Sequence, residues 1–411
     1  MKSSTFNSHY SLLGDLLALL TDYHANGAYE KLKENVTLLD KENYAVMIRT
    51  TNFESKNFSE NFIYVDKHAY EYLKKSKVYP NDLIMNKIAN PGTVYFMPNI
   101  GKPVSLGMNL FLLRIDKSKA DPYFVYSFLR QNEDYVKSFA SGSTTKTITK
   151  DDVRKLRVYS PPLPEQIKIA EILSTWDNAI NTVQKLLANS QQQKKALMQQ
   201  LLTGKKRFAG FEGEWEEKRL GDISDMNSGG TPKSSVPEFY NGDFPWVSIA
   251  DMTKQGKFIN FTERYITGLG IENSSARLYP KNTILYAMYA SIGESSIANV
   301  ECCSSQAILG IRTRKELYYE FLYFYLCFLK EEIKLQGQQG TQSNLNAGMV
   351  KDFKIKLPSL PEQQKIAAVL TTADQEIDNL RAQLNHLKQE KKALMQQLLT
   401  GKRRVKVAEA A

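Results

Sequence analysis

A twelve-residue sequence, KKALMQQLLTGK, occurs twice in this chain, at residues 194–205 and again at residues 391–402. A second motif, LPEQ, begins at Leu163 and recurs from Leu360. Both pairs are offset by 197 residues, so the stretch between the two motifs has the same length in each copy. A long-period repeat of this kind predicts a tandem of two similar structural units.

The stretch between the motifs carries apolar residues at alternating spacings of three and four, which places them on one face of a helix. This heptad stripe predicts two helices of about 40 residues that form a coiled coil. Lys194 and Lys391 interrupt the stripe at the same heptad position, where they either fix the register or face an external partner. The stripe residues are Ile169, Leu173, Trp176, Ile180, Val183, Leu187, Leu197 and Leu201 in the first copy, and Ile366, Leu370, Ile377, Leu380, Leu384, Leu387, Leu394 and Leu398 in the second.

The residues at the ends of these stretches agree with helix boundaries. Pro164 and Pro361 suit a first helical turn, since that turn needs no amide donor from the proline. Gly204 and Gly401 suit the residue that follows a helix, where a left-handed backbone is common. An apolar stripe on a single helix would be exposed to solvent, so each helix needs a partner. We expect the two helices to pack antiparallel as a pseudo-twofold frame with one domain at each end. Two alternatives stay open, namely homodimerisation through both helices and two unrelated helices that each pack on their own domain.

The segments that precede the helices differ in sequence but keep one order of features. In both, a short strand pattern (44–48 and 245–249) is followed by a Pro–Asn turn and an apolar strand (78–85 and 278–285). Aromatic-rich helical segments (122–139 and 318–335) then precede a final strand (156–158 and 353–355). We therefore predict a mixed α+β (α/β) fold with a first domain at 1–160, a first helix at 161–205, a second domain at 206–357, and a second helix with a basic tail at 358–411.

Composition limits the classes of function. The chain has 54 Lys+Arg against 44 Asp+Glu, a net charge of +10, which favours a nucleic-acid partner because basic residues neutralise phosphates. Residues 1–160 carry a net charge of +5, whereas residues 206–357 have a net charge of zero. The second domain must therefore rely on local basic patches or on partner subunits for its affinity for phosphates. Three cysteines exclude a disulfide framework and fit a reducing cytosol, and four scattered histidines show no zinc spacing. The chain lacks an apolar run of about 20 residues, so we expect no membrane span.

The sequence shows no catalytic motif. Neither a phosphate-binding G-x-x-x-x-G-K-[ST] loop nor a G-x-G-x-x-G dinucleotide turn is present. Gly229-Gly230-Thr231-Pro232 is rich in glycine but has the character of a turn. The adjacent carboxylates Asp151 and Asp152 would diverge on a helix and suit a solvated face. The absence of these motifs disfavours an enzyme but leaves that alternative open.

The LPEQ start followed by Lys-Ile-Ala (168–170 and 365–367), the KKALMQQLLTGK ending, and a divergent domain before each copy resemble the specificity (S) subunit of type I restriction-modification systems. The resemblance covers essentially the whole chain. It implies two target recognition domains, each reading one half of a bipartite asymmetric site in double-stranded DNA. It also implies that the coiled coil sets the spacing and docks two methyltransferase (modification) subunits, which recruit restriction (translocase/endonuclease) subunits.

The resemblance further implies that this chain is not catalytic and binds no cofactor itself. S-adenosylmethionine, ATP and Mg are expected on the partner subunits, and the complex is expected in the cytoplasm of a bacterium or an archaeon. Docking on the helices would use faces outside the stripe, and the glutamines near the helix ends are candidates: Gln191 to Gln193, Gln199, Gln200, Gln396 and Gln397.

Polar residues in the loops that align between the two domains are the candidates for reading DNA, because bases are recognised through hydrogen bonds from such side chains. For each of them an ordinary solvated surface residue is the alternative. The candidates are Arg49, Asn52, Lys56, Asn86, Lys87, Thr144, Thr145 and Lys146 in the first domain, and Thr231, Lys233, Asp251, Lys254, Tyr289, Ser291, Gln306 and Gln342 in the second.

Two other functions compete with DNA recognition. One is a DNA-modifying enzyme with an unrecognised active site, which would methylate or cleave DNA as a purified chain. The other is a coiled-coil adaptor that binds proteins and not DNA. Gel shifts with genomic fragments, with and without a methyltransferase partner, separate the adaptor from the recognition subunit.

Overall fold

A computed structural model of the chain describes residues 9–337 and 345–407, with side chains at all of these positions except 331–337. The chain divides into two compact units. Unit 1 comprises Met1–Gln184 and Gln383–Ala411, and unit 2 comprises Lys185–Ala382. Both division points lie inside a long helix, so each unit contains one α+β domain together with part of both helices. None of the described helices is long and apolar enough to cross a membrane.

Unit 1 is built around two four-stranded sheets, with strand orders β2-β9-β6-β7 and β4-β3-β8-β5, and a small β1–β10 pair. All pairings are antiparallel except β3–β8, so the sheets are mixed. The strands are β1 Tyr10–Leu12, β2 Leu17–Asp22, β3 Ala45–Ile48, β4 Ile63–Val65, β5 Lys77–Val78, β6 Leu83–Asn86, β7 Val94–Phe96, β8 Val104–Leu106, β9 Leu110–Ile115 and β10 Arg157–Tyr159. The helices are α1 Leu13–Leu16, α2 Tyr29–Asn35, α3 Thr50–Glu54, α4 Lys67–Tyr72, α5 Pro122–Gln131, α6 Glu133–Lys137, α7 Lys150–Lys155 and the long α8 Leu163–Leu201, which continues into unit 2.

Unit 2 repeats this plan with a five-stranded sheet, β12-β19-β16-β17-β14, a three-stranded sheet, β15-β13-β18, and a β11–β20 pair. The strands are β11 Glu216–Arg219, β12 Ser224–Ser228, β13 Tyr240–Val247, β14 Phe258–Ile259, β15 Arg264–Ile266, β16 Ile284–Ala287, β17 Ser295–Ala298, β18 Cys303–Ser304, β19 Ile308–Thr313 and β20 Lys354–Leu357. The helices are α9 Ile249–Gln255, α10 Gly268–Glu272, α11 Tyr319–Gly337, α12 Ala347–Lys351 and the long α13 Leu360–Leu398. Four short 3-10 turns complete the two units: Tyr23–Asn26, Lys74–Ser76, Leu220–Asp222 and Pro237–Phe239.

The mixed α+β fold and the two long helices are confirmed. One predicted strand, 245–249, is wrong at its end, because β13 stops at Val247 and Ile249 begins α9. The reason is a capping box: Ser248 and Asp251 hydrogen-bond each other's backbone amides, which starts a helix at that point. The predicted final strands are shifted by about one residue, which is the usual uncertainty of such boundaries.

The apolar stripe faces the interior, because each predicted stripe residue is either buried or half-buried. In unit 1 the start of α8 and the end of α13 share one core, which includes Ile169, Leu173 and Leu398. In unit 2 the roles are exchanged, and Leu201 from the end of α8 shares a core with Leu370 from the start of α13. Within each unit the two helices therefore pack together and run antiparallel. The alternative of two unrelated helices, each packed on its own domain, is wrong.

Glycines end both long helices as the sequence predicts, because each adopts a left-handed backbone that favours glycine. Gly204 has φ of +73° and Gly401 has φ of +72°. A Cβ added at Gly401 would lie 2.5 Å from the hydroxyl of Tyr159, which is buried in the unit 1 core. The equivalent Cβ at Gly204 would lie 3.6 Å from the ring of Trp215, an ordinary contact.

Candidate nucleic-acid interface and its helical scaffold

The strongest grouping of candidates in unit 1 lies beyond the end of β6. The chain turns back to β7 through residues 87–93, and this turn lies beside the loop 141–146 because Ile88 and Ser141 each bridge to Thr147. Thr144, Thr145 and Lys146 are exposed in that loop. Together with Lys137 and the turn they line a cleft of about 470 Å³. The structure thus brings four predicted residues, including Lys87, to one edge of the domain.

A carboxylate that sequence reasoning missed organises two lysines at this edge. Asp22, at the end of β2, accepts hydrogen bonds from Lys87 at 3.4 Å and from Lys150 at 3.1 Å. Burial alone would raise the pKa of Asp22, but the hydrogen bonds and charges of the two lysines outweigh it and lower the pKa below its usual value. Asp22 is therefore ionised at neutral pH, and it holds both ammonium groups beside its carboxylate.

The predicted residues on α3 have separate roles. Asn52 is buried, and its Oδ1 accepts from the backbone amide of Arg49 at 3.0 Å, which caps the helix. Asn86 is also buried, and its Oδ1 accepts from the hydroxyl of Thr50 at 3.0 Å, so α3 is tied to the end of β6. The guanidinium of Arg49 donates to the carbonyl of Asn61 at 3.3 Å. Lys56 follows α3 and is exposed.

Unit 2 gathers its candidates in a corresponding way. Backbone bonds join Gly230 to Ser304 at 2.9 Å, Ser305 to Val247 at 3.0 Å, and Met288 to Ala307 at 2.9 Å. These bonds place the turn after β12, the loop before β19, the start of α9 and the turn after β16 at one edge. The predicted residues on these segments are the exposed Thr231, Lys233, Gln306 and Tyr289, and the half-buried Ser291. Gln342 lies outside the described residues.

Asp251 is the counterpart of Asn52. It is buried, its Oδ2 accepts from Ser248, and its Oδ1 accepts from the backbone amide of Glu263 at 3.0 Å. Both residues therefore serve as helix caps, and α3 and α9 occupy equivalent places. Lys254 is exposed near the end of α9, as Lys56 is after α3. The exposed members of the predicted set remain our proposed readers of DNA.

The scaffold contains two ion-paired clasps that the repeat encodes and that sequence reasoning missed. In unit 1, Arg404 follows α13 and donates to both carboxylate oxygens of Glu165 in the first turn of α8, at 2.6–3.0 Å. In unit 2, Arg207 follows α8 and donates to both oxygens of Glu362 in the first turn of α13, at 2.7–2.9 Å. Each arginine lies three residues beyond the repeat's glycine, so extending the repeat past KKALMQQLLTGK would have found both.

The glutamates of the clasps are buried, at 4% and 1% exposure for Glu165 and Glu362. The bidentate bond from Arg404 lowers the pKa of Glu165 against the opposing effect of its burial. The neighbouring glutamines complete the LPEQ motif. Gln166 joins the backbone of Asp121 to that of Pro161, and Gln363 joins Tyr318 to Pro358, which ties each helix to the domain before it.

The lysines that interrupt the stripe also find carboxylates. Lys391 donates to Asp177 in unit 1, and Lys194 donates to Asp374 in unit 2. These pairs are equivalent in the repeat and connect the two helices at a fixed position. This geometry favours the role of fixing the register, because a shift of either helix would separate half-buried opposite charges. The glutamines predicted to dock partners are exposed on the helices.

Cys302 and Cys303 are buried in unit 2. Burial raises the pKa of Cys302 to about 12 and that of Cys303 to about 11, so neither thiol is a nucleophile at neutral pH. Among residues 9–330 and 345–407, whose side chains are described, no group of three His, Cys, Asp or Glu side chains could hold a metal ion.

Comparisons with known proteins agree with the resemblance seen in the sequence. The family model of the type I restriction modification DNA specificity domain matches twice, over residues 13–189 and 212–389. The chain is similar to a Methanocaldococcus jannaschii protein provisionally named the type I restriction enzyme MjaX specificity subunit, with 30% identity over 387 residues that cover 89% of each chain. It is also similar to the Escherichia coli type I restriction enzyme EcoR124I/EcoR124II specificity subunit, with 27% identity over 249 residues that cover 57% of this chain and 60% of that one.

Solved structures share the fold. The S subunit of the type I restriction-modification system from M. genitalium gives a TM-score of 0.62 at 17% identity, covering 97% of this chain and 98% of that chain. A chain from a study of assembly and conformational transition of the type I system gives a TM-score of 0.55 at 18% identity, covering 97% of this chain and 99% of that one. With both of its repeats matched by the family model, the chain belongs to the family of type I restriction-modification DNA specificity proteins.

Proposed function

We propose that this chain is the DNA-recognition subunit of a type I restriction-modification complex, and that each unit reads one half of a bipartite asymmetric site. The observation that supports this proposal is that the two units have equivalent helical frames but different exposed residues at the proposed DNA-binding edge. The clasps and helix pairs are equivalent in the two units, whereas the exposed edge residues differ. In this proposal each frame presents one reader, and unlike edges give two different half-sites.

The charges of the two edges favour this division of labour. Unit 1 presents Lys137 beside the cleft, with Lys87 and Lys150 held by Asp22. Such cations suit phosphate oxygens, which position a protein on DNA without reading sequence. Unit 2 presents fewer cations at its edge and an exposed aromatic ring, that of Tyr289. In our proposal, phosphate affinity therefore comes mainly from unit 1 and from partner subunits.

The helical pair would set the spacing of the half-sites and dock two methyltransferase subunits, through which restriction subunits join. The amide-rich helix faces that include Gln192 and Gln396 are the proposed docking surfaces. Chemistry would reside in the partners, which would bind S-adenosylmethionine, ATP and Mg. We propose that this chain contributes recognition without catalysis and works in the cytoplasm.

Co-expression of the chain with its methyltransferase partner, followed by genome-wide mapping of adenine methylation, tests the proposal. We expect one new motif in two parts separated by bases of any identity. A methylated motif that is continuous, or the absence of any new motif, would contradict the proposal. The purified chain alone is the control, and methyl transfer or cleavage by it would favour the enzyme alternative.

The contribution of one edge is tested by Lys146→Ala. We expect weaker binding to DNA that carries the first half-site, because the ammonium group next to the cleft is lost. Lys41→Ala, at an exposed lysine in the loop before β3, is the matched control for a change of one charge. A uniform loss of binding to unrelated DNA would make Lys146 a phosphate contact and not a reader of bases.

A further inference from the structure

Two hairpin turns, residues 87–93 in unit 1 and 288–294 in unit 2, share two backbone hydrogen bonds in domains whose sequences differ. Gly92 donates to Asn86 at 2.9 Å, and Gly293 donates to Ala287 at 3.0 Å. The carbonyls of Lys87 and Met288 each accept from the chain that leads to the last helix before the final strand. The turns also share a left-handed alanine three residues before a left-handed glycine, whereas Asn90 is left-handed and its counterpart Ser291 is not.

Each turn contains an alanine in the left-handed region. Ala89 has φ of +52° and Ala290 has φ of +59°. This conformation is unfavourable for a residue with a Cβ, and glycine would relieve it. Strained backbone persists where the surrounding structure holds it, and such residues concentrate at functional sites. Here both alanines are exposed, so burial of a side chain does not explain why they occupy this region.

The base of each hairpin is packed, whereas the tip projects. A Cβ added at Gly92 would lie 3.0 Å from Val136, and one added at Gly293 would lie 3.0 Å from the side chain of Lys330. Next to the left-handed alanine stands Asn90 in unit 1 and Ser291 in unit 2. Asn90 is exposed, and its side-chain amide makes no hydrogen bond with the described part of the chain.

We propose that the two hairpin tips enter the DNA groove, and that Asn90 and Ser291 are equivalent specificity-determining residues, one for each half-site. This inference rests on the proposed function and extends it to named residues. A free amide on an exposed tip can bond the edge of an adenine through its donor and its acceptor, and a serine hydroxyl can bond several bases. The cleft beside the unit 1 tip, with Lys137 on its wall, would receive the adjacent phosphate.

The chain offers a matched control on the same strand. Asn81 precedes β6, whereas Asn90 follows it, so the two lie toward opposite ends of that strand. Both are exposed asparagines in the left-handed region, with φ of +73° and +82°. Asn81→Gly and Asn90→Gly therefore remove the same side chain without backbone strain, and only the second touches the proposed reading tip. Asn282, with φ of +71°, gives the corresponding control in unit 2.

The experiment maps adenine methylation in cells that express each variant with the methyltransferase partner, and then measures binding of the complex to duplexes with single base changes in the mapped motif. For Asn90→Gly we expect discrimination at one or two bases of one half-site to fall roughly 10- to 100-fold, with the other half-site unchanged. Ser291→Ala should relax the other half-site. Asn81→Gly and Asn282→Gly should leave both half-sites as they are.

Several outcomes would overturn the inference. An unchanged motif for Asn90→Gly in a folded complex refutes it while leaving the proposed function intact, and so does a uniform loss of binding to all duplexes. If the unsubstituted chain directs no bipartite methylation, the proposed function and this inference fail together. Should Asn90→Gly fail to fold, Asn90→Asp keeps the backbone preference, removes the amide donor, and must still change the same half-site.

Discussion

Removal of Arg404 tests whether the clasps hold the scaffold together. Arg404 makes three bonds of 2.6–3.0 Å to Glu165, and the amide of Val405 adds a weaker one at 3.3 Å. The Glu165 side chain is 5% exposed, whereas that of Arg404 is 52% exposed. Arg404→Ala thus leaves a buried carboxylate with one backbone donor, and loss of one partner of a fully buried pair costs about 3–5 kcal/mol.

The exposure of Arg404 reduces this cost, because water can reach the carboxylate once the arginine is gone. We therefore expect Arg404→Ala to lower the free energy of local opening by about 2–3 kcal/mol. Glu165→Gln should cost less, about 1 kcal/mol, since the remaining arginine is half exposed and solvated. The double variant should be less destabilised than the sum of the two, because the buried unpaired charge is no longer present.

Amide hydrogen exchange measured by mass spectrometry reports this opening locally. Peptides from the start of α8 and the end of α13 should exchange roughly 30- to 150-fold faster in Arg404→Ala, since about 1.4 kcal/mol corresponds to tenfold. Arg403→Ala is the control, because Arg403 is an exposed neighbour whose side chain makes no ion pair among the described residues. Equal exchange in Arg403→Ala and Arg404→Ala, or strictly additive costs in the double variant, would refute the reasoning.

Three further predictions concern the same frame. Because its pKa is lowered in the folded chain, Glu165 contributes stability above its unfolded pKa of about 4.3, and acid titration of exchange should show this contribution lost as pH falls through the lower folded value. Glu165→Gln cannot titrate and should not show this loss, so the same loss in that variant would contradict the prediction. Gly401→Ala should reduce thermal stability more than Gly204→Ala, because both meet left-handed strain but only the first adds a close contact; equal shifts of the unfolding midpoint would argue against the contact. Lys391→Met leaves the carboxylate of Asp177 without its lysine and should lower the free energy of unfolding in denaturant by about 1–2 kcal/mol. Adding Asp177→Asn to the same chain should restore part of this stability, and an undiminished loss in the double variant would count against the ion pair.

Much of the frame could be predicted from the sequence alone. A 197-residue repeat and a heptad stripe depend only on the order of residues, and they predicted two units and two long helices that pack together. Proline and glycine at the helix ends act through their own backbone restrictions, which need no tertiary context. The ends of strands and the helix caps were harder to predict from the sequence. Ile249 fits the strand pattern of 245–249, but the capping box formed by Ser248 and Asp251 makes it the first residue of α9.

The tertiary structure decided how distant residues meet. Nothing in the local sequence pairs Arg404 with Glu165 or Asp22 with Lys87, because such contacts join segments far apart in the chain. Asn52 and Asp251 look like free polar groups in a sequence, yet folding buries them as helix caps. The left-handed alanines were equally hidden, since alanine has no sequence preference for that conformation and only the surrounding packing imposes it. The sequence by itself determined the repeated frame, through periodicity and backbone preference, while the edge that would meet DNA was decided by long-range contacts.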